Sequence, residues 1–452
     1  MVDLYRKVIE ELRQWKESTV GLIVLGSRQV GKTYIIDKFL KENFSSYTHL
    51  DLYQNVDAIE SIIKAKDIKD FYLRYSLLCE GNFESGSVIF IDEIQSYYSY
   101  ISNNKIDKYF DLITMSKFIV QEGNHRLVFS GSLLRLEMNH ILSNPEGYMY
   151  PITMYPMDFE EFLIANNVNK EIIEIAKNAF TNLTEIPDYI HDKFLSLYKE
   201  YILVGGMPAA VSAYVENKSF TSVAFAHKTI DTYIRDDITK YADDNEKLKI
   251  EEIYELLSTE LNRPSRRFII SDIPNHSKNE NEQLSFSWLE KAGVAIRVHI
   301  ADEPVIPLKA TSQRNKLKLF HEDVGLLCYH LFDSKTKSLI LNDSISVNSG
   351  MLYENAVAQS LKAHGYHNLY YYNNKKYGEV DFLLENTNGI IPVEVKSGKN
   401  YHRHSAINNL LSIKNYAFDK AYVFYNGNLK IEGKTIYLPI YLSDFVVTSR
   451  DK

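Results

Sequence analysis

Short apolar runs alternate with longer amphipathic stretches through the first third of the chain. Residues 20–25, 87–91 and 127–129 are mostly apolar, and residues 48–52 form a further strand-like run. The stretch 34–40 has the spacing of a helix with one apolar face. Strands and helices in alternation predict a parallel sheet with helices on both faces, so we predict the α/β class.

Helical periodicity predominates after this sheet. Several helices are predicted, over residues 159–165, 192–204, 220–241 and 247–261. Helices followed by a strand at 295–299 are the order of a winged-helix module, a fold that serves both DNA binding and protein interaction. We predict four domains: a sheet domain at 1–155, a helical region at 156–245, a winged-helix-like domain at 246–340 and a C-terminal α/β domain at 345–452.

Residues 26–33 read G-S-R-Q-V-G-K-T, which matches the P-loop pattern GxxxxGK[ST] between a predicted strand and a predicted helix. Glycines let the backbone turn its N–H groups towards phosphate oxygens at the start of a helix. We expect Lys32 to contact the β- and γ-phosphates of ATP and Thr33 to hold Mg²⁺. The alternative is a glycine turn with an incidental Lys-Thr pair. The predicted nucleotide-binding residues are Gly26, Ser27, Arg28, Gln29, Val30, Gly31, Lys32 and Thr33.

Two acids follow the apolar run at 87–91. Asp92 is expected to hold the Mg²⁺ shell and Glu93 to orient or deprotonate the attacking water, because ligands gather at the carboxyl ends of parallel strands. Alone, such a pair also fits a solvated loop start. Ser130, in the Ser-Gly-Ser sequence after the run at 127–129, is a candidate sensor of the γ-phosphate.

A hairpin with two acids on one face is predicted near the C-terminus. Residues 379–385 and 390–396 flank the turn sequence N-T-N-G. This register places Asp381 opposite Glu394, with Lys396 on the same face, so the two carboxylates could share a divalent cation. Lys396 would then activate the attacking water. An exposed sheet face with a salt bridge is the alternative.

Composition sets the outer limits. The 452 residues carry a net charge of −8 and two cysteines, so neither a basic nucleic-acid-coating protein nor a disulfide framework is expected. No run approaches the ~20 apolar residues that cross a bilayer. The charged N-terminus is not typical of a signal peptide. We therefore expect a cytoplasmic protein without a membrane partner.

The motifs together resemble a family of bacterial and archaeal AAA-type ATPases that join a P-loop domain to a C-terminal region of unknown function. Further family-like sequence motifs are M-Y-P-M-D-F-E-E-F-L from Met154, V-G-G-M-P from Val204 and K-L-F-H-E-D-V-G-L-L from Lys318. The C-terminal G-E-V-D-F-L-L and P-V-E-V-K-S-G resemble the restriction-endonuclease-like PD-(D/E)xK core. That resemblance implies a third metal ligand, Glu354, on the preceding helix.

Two functions follow from these observations. The first is an ATP-driven enzyme that couples nucleotide state to DNA binding or processing at the C-terminal metal site, and the second is an ATPase switch whose C-terminal fold is a catalytically silent interaction module. Basic and aromatic residues near the acids favour nucleic acid. They are Lys375, Lys376, Tyr377, Lys399, Tyr401, His402, Arg403 and His404.

Efficient hydrolysis by a P-loop protein also calls for a cation from elsewhere, often from a second copy in a homo-oligomer. Arg135 and Arg235 are the candidates for this arginine finger. Arg235 has acidic neighbours in its predicted helix and is expected to pair with one of them, so Arg135 is preferred.

Overall fold

The computed structural model describes residues 3–53, 55–137, 147–243, 245–261, 282–345, 347, 349–398, 404–413, 416 and 418–448. The chain divides into two compact units. The N-terminal unit comprises Arg6–Tyr155 and Lys291–Gly293, and the C-terminal unit comprises Met1–Tyr5, Pro156–Glu290 and Val294–Lys452. The four-domain division proposed from the sequence stays a prediction.

The N-terminal unit is built on a five-stranded parallel sheet in the order β2-β3-β4-β1-β5. Its strands are β1 (Gly21–Gly26), β2 (Tyr47–Asp51), β3 (Val88–Asp92), β4 (Arg126–Gly131) and β5 (Met149–Met154). Its helices are α1 (Val8–Lys16), α2 (Lys32–Asn43), α3 (Val56–Ile63), α4 (Ile68–Ser76), α5 (Gln95–Asn103), α6 (Leu112–Glu122) and α7 (Leu134–Glu137).

Helices cover both faces of this sheet, which explains why its strands read as continuous apolar runs. Successive strand residues point to opposite faces, so Val88 and Phe90 join a core with Trp15 of α1. Ile89 and Ile91 join the core on the other face, which α3 to α6 supply. The predicted parallel α/β sheet is therefore confirmed.

The C-terminal unit begins as a helical assembly and continues into a mixed sheet. Its first helices are α8 (Phe159–Ala165), α9 (Lys170–Asn182), α10 (Asp188–Val204), α11 (Pro208–Asn217), α12 (Phe220–Tyr241), α13 (Lys247–Leu261) and α14 (Glu282–Lys291). After β6 (Ala295–Ala301) come α15 (Leu308–Thr311), β7 (Ser312–His321), α16 (Val324–Leu331), α17 (Ser334–Leu341) and α18 (Ser349–Ala363). The remaining elements are β8 (Leu369–Asn374), β9 (Gly378–Asn386), β10 (Gly389–Val395), α19 (Ser405–Leu411), β11 (Ala421–Tyr425), β12 (Lys430–Glu432), β13 (Thr435–Pro439) and a 3-10 helix, Ile440–Phe445.

The eight strands of this unit form one sheet in the order β12-β13-β11-β10-β9-β8-β6-β7. The strand predicted at 295–299 is present as β6. It pairs antiparallel with β7 and parallel with β8, so the sheet runs across the proposed boundary between 246–340 and 345–452. Part of the predicted helix order, residues 262–281, lies outside the described residues. The winged-helix interpretation stays a prediction.

Asp323 connects two of the family-like sequence motifs by hydrogen bonds to both of them. Its side chain caps α16 by accepting from Leu326 N at 2.9 Å, and it also accepts from Gly206 N at 2.6 Å. The chains approach so closely here that a Cβ on Gly325 would lie 2.2 Å from Val204 O. Burial raises the pKa of the Asp323 carboxyl to about 6. The motifs V-G-G-M-P and D-V-G are therefore in direct contact, and this close packing explains why both contain glycine.

Candidate functional site

The P-loop connects β1 to α2 in the conformation that the sequence predicts. Gly26 has φ 146° and Gly31 has φ 91°, values that side chains with a Cβ rarely adopt. Val30 is buried and anchors the loop. The Lys32 ammonium donates to Gly26 O at 3.1 Å and to Ser27 O at 2.9 Å, so it lies inside the loop, where phosphate oxygens are expected.

The acids of β3 lie beside this loop, with β4 inserted between β3 and β1. Thr33 Oγ1 donates to Asp92 Oδ2 at 2.5 Å. The hydroxyl of Ser130, at the end of β4, donates to the other Asp92 oxygen. Hydroxyl and carboxylate oxygens are the ligands that Mg²⁺ prefers, so Thr33 and Asp92 fit this ion. The structure thus brings together the Thr33, Asp92 and Ser130 that the sequence selected separately.

Glu93 occupies a left-handed conformation, with φ 52°, directly after the strand. Its carboxylate accepts from the Gln95 side-chain amide and, at 3.3 Å, from Ser132 Oγ. A carboxylate held by two donors has a fixed orientation. The sequence pattern alone does not indicate a role for Gln95 or Ser132, although both lie in the segments that carry Asp92 and Ser130.

His49 is a further residue that sequence reasoning missed. It lies on β2 beside β3, and its ring stacks on Phe90 with centroids 4.4 Å apart. Its Nδ1 atom lies 3.5 Å from Asp37 Oδ2, and its Nε2 atom lies 3.9 Å from Asp92 Oδ2. Burial raises the pKa of Asp37, the His49 charge opposes that rise, and the nearby Asp92 adds to it. The only signal in the sequence was a histidine within an otherwise strand-like run.

Comparison with known families agrees with this geometry. Residues 19–163 match the family model described as an AAA domain. The chain contains an AAA-type ATPase domain and is an ATP-hydrolysing enzyme. Residues 195–337 and 349–443 match two further models, the domains of unknown function DUF8612 and DUF4143. The DUF8612 match crosses the predicted boundary at 245, and the DUF4143 match confirms a C-terminal domain of unknown function after the AAA domain.

Three solved structures illustrate what the chain is similar to. A Walker-type ATPase of Pyrococcus abyssi is 13% identical, with 73% of this chain and 96% of that chain covered and a TM-score of 0.44. Drosophila ORC bound to DNA is 16% identical, with 69% of this chain and 90% of that chain covered and a TM-score of 0.26. Cdc6p of Pyrobaculum aerophilum is 10% identical, with 75% and 95% covered and a TM-score of 0.24. A search among curated proteins found no match.

The predicted C-terminal hairpin is present with the predicted register. Ile390 pairs with Glu385 and Val393 with Phe382, which places Asp381 opposite Glu394 at the next step. Asp381 Oδ2 accepts from Val395 N at 2.8 Å, and the Glu394 carboxylate accepts from the Lys396 ammonium. Burial and the charge of Asp381 raise the pKa of Glu394 to about 8.

Glu354 lies on α18 and is fully buried. A lysine that the sequence pattern does not connect with this site also lies beside these acids. Lys318 Nζ of β7 lies 3.8 Å from Glu354 Oε2, 3.9 Å from Asp381 Oδ1 and 2.7 Å from Glu379 Oε1. We call Glu354, Glu379, Asp381 and Glu394 the acid cluster.

The acid cluster does not fit a metal ion as it stands. Within the described ranges, no group of three or more His, Cys, Asp or Glu side chains is arranged to hold one. Magnesium needs near-octahedral oxygen ligands at about 2.0–2.1 Å, and an ammonium group among those oxygens repels it. The roles proposed for Glu354, Asp381 and Glu394 as metal ligands, and for Lys396 as a catalytic residue, stay predictions that this geometry does not favour.

The remaining basic and aromatic candidates differ in exposure, and Tyr377 is half-buried. Lys375 and Lys376 are exposed, whereas His404 is buried, shares a hydrogen bond with the Tyr437 hydroxyl and has its pKa lowered by burial. His404 is therefore not a surface contact for nucleic acid. Lys399, Tyr401, His402 and Arg403 lie outside the described residues.

Of the arginine-finger candidates, Arg235 pairs with acids, as expected, but with Asp231 at 3.1 Å and Glu255 at 3.0 Å rather than with the acids directly after it in the sequence. The backbone of Arg135 lies in α7, and its side chain is outside the described part of the structure. No helix among the described residues is long and apolar enough to span a bilayer.

Proposed function

We propose that ATP hydrolysis by the AAA domain uses Mg²⁺ and that the nucleotide state of this domain controls DNA binding by the C-terminal unit. The observation that supports the first half is the convergence of Thr33, Asp92 and Ser130 beside the P-loop. Thr33 and Asp92 would hold Mg²⁺, which supplies charge stabilisation on the phosphates when bound. Lys32 would neutralise the β- and γ-phosphates, Glu93 would orient the attacking water and Ser130 would contact the γ-phosphate.

A basic surface near the hairpin supports the second half. Lys375 and Lys376 are exposed in the turn between β8 and β9, and the Lys376 ammonium lies 5.1 Å from the centre of the Tyr377 ring. Cations contact phosphates and aromatic rings stack on bases, so this pairing suits a nucleic-acid strand. The net charge of −8 restricts such binding to a local surface.

Two activities of the C-terminal unit are candidates. The placement of Asp381 opposite Glu394 in the hairpin of β9 and β10, with Glu354 on α18, favours the first candidate, a metal-dependent nuclease. The ion pairs of Lys318 within the acid cluster favour the second candidate, a module that binds without cleaving. We propose the second, because the nuclease needs a metal ion where the lysine lies.

DNA-binding titrations test the coupling. Fluorescence anisotropy with labelled single- and double-stranded DNA would be measured with ADP and with ATP, using Glu93→Gln to prevent turnover. We expect the affinity to differ about 5- to 150-fold between the nucleotide states, the usual range of coupling between sites. The Lys32→Ala variant is the control and should show no difference. Equal affinities in all nucleotide states of Glu93→Gln would contradict the coupling.

The same samples test for cleavage. Labelled DNA incubated with Mg²⁺ or Mn²⁺ should remain intact. In the binding titrations, a double variant with Lys375→Glu and Lys376→Glu should bind DNA more weakly, and its affinity should depend less on salt concentration. Cleavage that Asp381→Asn abolishes would restore the nuclease candidate.

A further inference from the structure

Lys318 is almost completely withdrawn from water, at 1% side-chain exposure. Its ammonium lies near Glu354, Glu379 and Asp381, and 5.1 Å from the centre of the Tyr371 ring. Desolvating an ammonium is strongly unfavourable unless opposite charges compensate it, so this position requires the carboxylates around it. Equally, the carboxylates require a cation, because like charges gathered around one point repel one another.

Three separate elements supply these carboxylates and the lysine. Lys318 is on β7, at the edge of the sheet, Glu354 is on α18, and Glu379 and Asp381 are on β9. Strands β6 and β8 lie between β7 and β9, and the pairing of β6 with β7 shifts register between His299 and Ile300. Asn355, next to Glu354, fixes the end of β7 by accepting from His321 N at 2.8 Å and donating to His321 O at 3.0 Å. Asn355 thus holds the end of β7 against α18, the helix that carries Glu354.

Glu394, the remaining acid of the cluster, pairs with a different lysine. One oxygen of Glu394 pairs with Lys396, and Glu394 Oε2 is buried without a hydrogen-bond partner among the described residues. Each acid of the cluster thus has a lysine ammonium of this chain within 3.9 Å.

We propose that the ammonium group of Lys318 takes the place of a divalent cation in the acid cluster, so that the C-terminal unit is stabilised by an internal lysine and binds no metal there. This inference rests on the second candidate under the proposed function and extends it, because it names the residue that prevents metal binding. It predicts that neutralising Lys318 creates a divalent-cation site from acids already in position.

Binding of Mn²⁺ to the whole 452-residue chain tests the proposal. The probe is Mn²⁺ alone, followed by calorimetry and by electron paramagnetic resonance, without nucleotide. The parent protein carries Asp92→Asn so that the P-loop does not contribute. Lys318→Met removes the charge and keeps the length of the side chain, and Lys318→Arg keeps the charge. Lys337→Met is the matched control, because Lys337 is equally buried but donates to Leu203 O outside the cluster.

We expect no Mn²⁺ in the cluster of the parent, Lys318→Arg or Lys337→Met. Lys318→Met should bind one Mn²⁺ per chain at least about tenfold more tightly than the parent, and a second change, Asp381→Asn, should remove this binding. Bound Mn²⁺ in the parent that Asp381→Asn abolishes would overturn the proposal. A folded Lys318→Met protein that binds no more Mn²⁺ than the parent would overturn it too.

Melting curves report whether each variant folds. If Lys318→Met does not fold, the parent and its Asp381→Asn derivative still decide the matter, since metal lost between them contradicts the proposal and absence of metal in both supports it. ATP hydrolysis and DNA binding are measured separately in the protein with Asp92 restored. A failure of nucleotide coupling is therefore distinguishable from a failure of the lysine proposal.

Discussion

Thr33 Oγ1 lies 2.5 Å from Asp92 Oδ2, although the two residues are 59 positions apart in the chain. One follows β1 and the other ends β3, and both strands end at the same edge of the parallel sheet. This contact joins the P-loop to the acids that follow it, and it is the basis of the predictions for ATP hydrolysis.

Lys32→Ala should lower the rate of ATP hydrolysis by at least about 10²-fold and weaken ATP binding, because the transferred phosphate loses a charge-stabilising donor. Glu93→Gln should slow turnover to a similar extent while ATP binding is retained. Steady-state hydrolysis and binding of a fluorescent ATP analogue measure the two effects. Normal hydrolysis by Lys32→Ala would contradict the assignment of the P-loop.

Gln95→Ala should lower kcat by about ten- to a hundredfold without weakening ATP binding, because Glu93 loses the donor that orients it. Gln95→Glu is a harsher variant, since it places two carboxylates together. The matched control is Gln121→Ala, whose side chain is exposed and donates to the Tyr148 hydroxyl. An unchanged kcat in Gln95→Ala would show that Glu93 needs no such support.

Hydrolysis per subunit should rise with protein concentration if a second copy supplies an arginine. Arg135→Ala should then reduce the rate at high concentration by about 10³-fold. Arg235→Ala serves as the control and should have little effect, because Arg235 already pairs with Asp231 and Glu255. A rate per subunit that is independent of concentration, together with full activity of Arg135→Ala, would exclude an oligomer-dependent finger.

Asp323 should make the protein less stable as the pH rises from about 4 to about 6. Its pKa is raised to about 6 in the folded chain by burial, so the unfolded chain releases the proton first and is favoured over this range. Urea unfolding of wild type and Asp323→Asn at several pH values measures the effect. The difference in unfolding free energy between wild type and Asp323→Asn should change by roughly 3 kcal/mol across this pH range.

Asp333 provides a control of opposite sign. It caps α17 on the surface, and its hydrogen bond from Thr336 N lowers the pKa of its carboxyl. Asp333→Asn should therefore remove a contribution that strengthens as the pH rises and is lost on acidification. Parallel pH profiles for the two variants would show that Asp323 is not buried in the way described.

Local sequence determined the elements that carry the ATPase site. The strand, loop and helix around Lys32 depend on contacts between near neighbours, and so does the hairpin that places Asp381 opposite Glu394. Glycine conformations, alternation of apolar residues and turn residues are sufficient for both. Helices such as α8 and α12 were predicted with their observed bounds for the same reason.

The tertiary structure alone decided which distant side chains meet. Insertion of β4 between β1 and β3 brings Ser130 to Asp92, and pairing of β6 with β8 extends the C-terminal sheet as far as β7 and Lys318. The sequence indicated acids suited to a metal, but it could not show that a lysine more than sixty positions before Asp381 lies beside it. Strand order and register are set by the packing of the whole unit, and a buried charge depends on whichever opposite charges that packing brings close.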